Sequence, residues 1–205
     1  MSPHVFGLLA VALLGQRLAE CRQSSWRLRE LGPPSAGRPR PERSLLALHA
    51  ASLVLPWVEV ELRAHPLDPR LFLACAATLA AAQLLRAATQ RSLGPYWTQL
   101  PAVFRGQRLV RGGPYARVMH PNYLAVAIEL VALPLAGAAW GSLIVLNLLH
   151  APILARRIRL EERALATLDG FGAYARTRGR LLPRLLRRDS PCASTPSTLT
   201  STSDA

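Results

Sequence analysis

The sequence contains no lysine: all 25 basic residues are arginine, against 12 acidic ones, and the formal charge is +13. Such a chain suits nucleic acid or an acidic membrane surface. Aromatics make up only 6% of the residues and do not interleave with the basic ones, which argues against nucleic acid. Cys21, Cys75 and Cys192 lie too far apart for a metal or redox motif, and the five histidines have no ligand spacing. No metal site is expected. No internal repeat is visible. The first apolar run lacks a basic start and a small-residue cleavage site; it reads as a membrane helix that stays rather than a signal peptide.

What is abundant is apolar. Half of the 205 residues are hydrophobic, and they cluster into runs, which favours membrane embedding over a large soluble core. About five spans emerge: Pro3 to Leu18, Ser44 to Leu62, Leu71 to Ala88, a fourth from just after His120 to Leu135, and Trp140 to Ala155. A full crossing takes about twenty residues, so the first, fourth and fifth are short. Pro134 and Gly137 separate the last two as a tight helical hairpin. The expected fold is all-α and polytopic, a membrane domain over residues 1–188. A disordered Ser/Thr/Pro-rich tail follows over 189–205.

Arginine placement orients these spans. About seven arginines follow the first span (Arg17 included), about two follow the second, and about six follow the third (Arg86 included). The hairpin has none, and about ten follow the fifth. That alternation places the N-terminus outside and the C-terminus in the cytoplasm. The loop Arg111 to Met119 and the segment after Ala155 then share the cytoplasmic face.

Two constellations meet on that face. In "RGGPYARVMHPNYLAVAIEL", from Arg111 to Leu130, a turn-rich polar loop runs into a greasy helix. His120 sits near the N-cap and Pro121 at the first helical position, where its missing N–H costs nothing. The free N–H groups of that turn can seat an anion, and Tyr115 and Tyr123 can pack on a flat ring. The plainer alternative is a simple helix cap with an interfacial tyrosine belt. In "RRIRLEERAL", Arg157 and Glu161 share a helix face. Either the segment is a solvated juxtamembrane helix, or Arg157 holds an anion while Glu161 accepts hydrogen bonds from a ligand. Among polar residues inside the spans, Glu129 lies two turns past Asn122 and is a candidate to line a ligand pocket or to be a buried hydrogen-bonded acid. His49 and Asn147 read as interhelical hydrogen-bonding residues; Glu59, Glu61 and His150 read as interfacial.

"LVRGGPYARVMHPNYL", then "RIRLEERAL" and "GFGAYARTRGRLLPRL", together resemble the isoprenylcysteine carboxyl methyltransferase family. "LGPYWTQ" and the upstream "GQRLAE" and "SSWRLRELG" look like its bacterial branch, often found beside type III polyketide synthases. The resemblance spans about Gly15 to Leu185. It implies a membrane-embedded enzyme using S-adenosylmethionine. Arg108, Leu109, Val110 and Tyr115 then match the cofactor-contacting strip, and His120, Pro121, Asn122 and Tyr123 the His-Pro-x-Tyr cofactor motif. Glu161 matches the cofactor-contacting acid and Arg157 the arginine turned toward the methyl acceptor; Glu129 is a catalytic candidate from its place inside a span, not from the resemblance. The family usually has an arginine before the His-Pro pair. Here Met119 stands there, and Arg117 lies two residues earlier. The implied reaction is O-methylation of a carboxylate or acidic hydroxyl on a lipophilic acceptor, either alkylpyrone- or alkylresorcinol-like or prenylated, drawn from the membrane lipid. Rival readings are an NADPH-dependent sterol-type reductase, a phospholipid N-methyltransferase and a non-catalytic relative.

Overall fold

The computed structural model describes residues 3–37, 43–63 and 65–184; the expected tail lies outside them. Those residues are mostly helical. Five long helices, α1 (Pro3–Leu31), α2 (Arg43–Arg63), α3 (Pro69–Leu93), α4 (Pro121–Ala136) and α5 (Trp140–Leu165), are followed by a short α6 (Phe171–Thr177). Two-residue strands, β1 (Ala36–Gly37) and β2 (Ala102–Val103), pair antiparallel.

The helix starts follow local chemistry. Asp68 caps α3, its carboxylate accepting from the N–H groups of Arg70 at 2.8 Å and Leu71 at 3.3 Å, with Pro69 in the first turn. The start of α5 has no cap of its own and borrows one from α2. The Glu59 carboxylate accepts from Gly141 N at 3.1 Å, Ser142 N at 2.7 Å and Ser142 Oγ at 2.7 Å. Arg63 holds Glu59 at 2.7 Å and donates to the Ala138 carbonyl at 2.9 Å, which closes the α4–α5 turn. A side chain at Gly137 would collide with Val60 and Phe6, so glycine is required there by space.

Two expected boundaries are corrected. The first apolar run does not end its helix at Leu18; α1 continues to Leu31, because no breaker precedes Gly32. Likewise α5 continues past Ala155 to Leu165, so "RRIRLEERAL" belongs to the same rod as the apolar run. Within that rod Pro152 supplies no N–H to the ladder.

Phe6, Leu13, Leu53, Val60, Phe72, Leu79, Leu133 and Ala136 form the main core, joining α1 to α4. Helices α3 and α4 pack against each other most extensively. Large apolar side chains also cover the outside, among them Leu8, Leu73, Leu84, Ile144 and Leu148, as lipid contact requires. Two helical stretches, His4–Leu31 and Pro69–Tyr96, are long and apolar enough to cross a membrane; Pro121–Ala136 is apolar but shorter.

An ionic network is buried between α1, α3 and α4. Arg86, 4% exposed, donates to Glu20 at 3.4 Å, Asn122 at 3.3 Å and Glu129 at 3.2 Å. Arg17 pairs with Glu20 at 2.9 Å and also with Glu129. Gln83 reaches Glu129 at 2.7 Å and Gln90 reaches Glu20 at 2.9 Å. Two arginines meet two glutamates, so the cluster can be buried without net charge.

Candidate active site

A cavity of about 270 Å³ opens between the loop before α4 and helices α1, α2, α3 and α5. Its wall takes Arg108, Leu109, Val110 and Tyr115 from the loop, His120, Asn122 and Tyr123 from the start of α4, and Arg157 and Glu161 from α5. Leu14, Leu18, Ala50, Leu53, Val126 and Leu154 add apolar surface, and Arg17, Glu20 and Arg86 of the ionic network also line it.

The expected helix start is present. His120 is the N-cap of α4 and Pro121 its first residue. The N–H groups of Asn122 and Tyr123 therefore have no intrahelical acceptor. His120 is 2% exposed; its Nε2 lies 3.3 Å from Glu162 and its Nδ1 3.9 Å from Glu161. That Nδ1 is buried and makes no hydrogen bond among the described residues. The Tyr123 hydroxyl accepts from Arg157 Nε at 3.0 Å, and the guanidinium lies 5.9 Å from the tyrosine ring centroid. Arg157 also donates to the Gln99 carbonyl. Its charge is thus aimed and held by two elements. Tyr115 is kept a neutral phenol: burial pushes its hydroxyl well above the ordinary range, and the Glu161 charge adds to it.

The segment after α6 returns to brace this site. Met119 N donates to Gly179 O at 2.8 Å and His120 N to Arg180 O at 2.9 Å. The Arg180 side chain grips Glu162 with two bonds, at 2.7 and 2.9 Å.

Most expected site residues meet in this cavity, with two exceptions. Pro121 is buried behind it as the helix start. Glu129 does not line the cavity: Arg17, Arg86 and Gln83 take up its carboxylate, the contacts expected of a buried hydrogen-bonded acid. Nor does Arg117 replace the missing arginine, since it is exposed while Met119 is buried against Phe171 and Tyr174. Asn147 bridges helices as expected, donating to Leu130 O at 3.1 Å. His150, expected near a span end, is 3% exposed and lines the cavity with His49. Arg86, Gln99 and the brace from Gly179 and Arg180 went unread, because their roles depend on contacts distant in sequence.

Comparison with known proteins places this geometry. The model of the isoprenylcysteine carboxyl methyltransferase family matches residues 73–167, from α3 to the end of α5. An uncharacterized protein of Bacillus subtilis (strain 168), YpbQ, is 30% identical over 164 residues, covering 78% of this chain and 96% of the relative. A mostly helical chain with lipid-compatible faces and this match is a membrane methyltransferase. It belongs to the isoprenylcysteine carboxyl methyltransferase family.

Proposed function

We propose that the protein uses S-adenosylmethionine to methylate an oxygen of a lipophilic acceptor, at the cavity between the His120 loop and α5. The observation that carries this reading is a single cavity whose lining joins the His120 loop, Tyr123, Arg157 and Glu161 to apolar side chains of α1, α2, α4 and α5. The polar and aromatic groups suit a polar cofactor and the apolar ones a greasy acceptor. The N–H groups of Asn122 and Tyr123, which have no intrahelical acceptor, suit a ligand carboxylate, and the buried Nδ1 of His120, which makes no hydrogen bond among the described residues, suits a ligand N–H donor. When bound, S-adenosylmethionine supplies an activated methyl group on sulfur. Glu161 would accept hydrogen bonds from it, and Arg108, Leu109, Val110, Tyr115, Asn122 and Tyr123 would enclose it. Arg157, fixed by Tyr123 and Gln99, presents a permanent positive charge to the acceptor oxygen and orients it. The packed helices exclude water from the transfer.

Five membrane crossings with the N-terminus outside agree with the arginine distribution and put the loop and Glu161 on the cytoplasmic side. The test is calorimetric titration of the detergent-purified protein with S-adenosylmethionine, with NADPH in parallel. Micromolar binding of S-adenosylmethionine, lost in Glu161→Ala, is expected. Binding of NADPH alone would favour a reductase and sink this reading.

A further inference from the structure

His150 has no part in the chemistry described so far, yet its ring is among the most buried polar groups of the cavity wall, at 3% exposure. It lies on α5 seven residues before Arg157, two turns along the same face. Its Nδ1 is 3.2 Å from the carbonyl oxygen of Leu146. A carbonyl only accepts, so Nδ1 carries the proton, and the neutral ring keeps its lone pair on Nε2. Nε2 makes no hydrogen bond among the described residues. His49 of α2 meets the ring edge to face, with centroids 5.8 Å apart, and fixes its plane. Leu53, Val126 and Leu154 line the same cavity. A buried acceptor atom without a donor is costly, and a bound ligand relieves that cost.

We propose that His150 forms an acceptor-recognition subsite in which Nε2 accepts a hydrogen bond from a hydroxyl of the lipophilic substrate. This rests on the reading of the cavity as the methyl-acceptor chamber, and it narrows the substrate class. A phenol, enol or alcohol supplies the donor that Nε2 lacks. An ionised carboxylate brings only lone pairs and is disfavoured there.

The test uses purified wild type, His150→Phe, which keeps the ring and loses the acceptor atom, and His150→Gln, which keeps a side-chain acceptor. Each is titrated with 5-pentadecylresorcinol, its dimethyl ether and palmitate, followed by tryptophan fluorescence, since Trp97 lines the cavity. Single-peak elution and helical circular dichroism check the fold. Wild type is expected to prefer the resorcinol over the ether about tenfold, with palmitate weaker than the resorcinol. His150→Phe erases the preference and His150→Gln restores most of it. Preference retained in His150→Phe, no rescue by glutamine, tighter palmitate binding that depends on His150, or no lipid binding by wild type would each overturn the inference. S-adenosylmethionine titration of the same wild-type sample separates the two ideas. Binding of S-adenosylmethionine without hydroxyl preference sinks the His150 subsite alone. Hydroxyl preference without S-adenosylmethionine binding sinks the methyltransferase reading of the site alone.

Discussion

Met119 shows how one side chain can be settled by its neighbours. It stands immediately before the His-Pro pair, and it is packed against Phe171 and Tyr174 with Leu109 and Leu165 beside them. Met119→Arg would bring a guanidinium into that packing. It is expected to lower stability by about 1–3 kcal/mol, read as a drop in melting temperature in detergent. Glu162 gives a pH signature at the same scale. Burial works to raise its carboxyl, but hydrogen bonds from Arg180 and His120, with their charges, outweigh it and hold the group below its ordinary 4.5. A carboxyl lowered by folding stabilises the fold above its ordinary value and loses that contribution as pH falls through the lower folded one. Melting temperatures measured from roughly pH 6 down to pH 3 should therefore fall more steeply in wild type than in Glu162→Gln. Single residues were also the most legible feature of the sequence. Turn chemistry and i,i+4 spacing single out His120, Tyr123, Arg157 and Glu161 but leave them open between a ligand site and a plain helix cap; the family resemblance gives them roles, and the fold gathers them at one cavity. His150 and Arg86 do not, because nothing local distinguishes a histidine at a helix end from one facing a cavity.

At the scale of elements, α1, α3 and α4 are joined by ionic contacts as well as by packing. Arg86 alone touches Glu20, Asn122 and Glu129, and so links the start of α4 to both other helices. Replacing it by methionine leaves two buried carboxylates to one arginine. Arg86→Met should cost about 3 kcal/mol or more, whereas the double change Arg86→Met, Glu129→Leu should recover much of it. Chemical denaturation in detergent, scored as a double-mutant cycle, measures the coupling. Helix existence was readable from apolar runs, and the start of α4 from its His-Pro pair. Helix ends were not: α1 and α5 run on through polar residues, where hydropathy falls but helical propensity does not.

On the scale of the whole molecule, the cavity is assembled from segments that no sequence window contains. Its wall draws on every long helix and on the loop before α4, and the segment after α6 holds that loop by backbone bonds at Met119 and His120. A chain truncated after Thr177 keeps all the helices yet loses this brace. Its circular dichroism should stay close to wild type while S-adenosylmethionine affinity falls at least tenfold by calorimetry.

Pro152 lies in α5 between His150 and Arg157, and a proline leaves one hydrogen-bond rung of the rod unmade, which lowers its resistance to bending there. Whatever seats against the ring on one side and the guanidinium on the other is gauged by a single bar. Two ligands that each set the angle of that bar are thermodynamically linked, and the factor by which one tightens the other is the same in both directions.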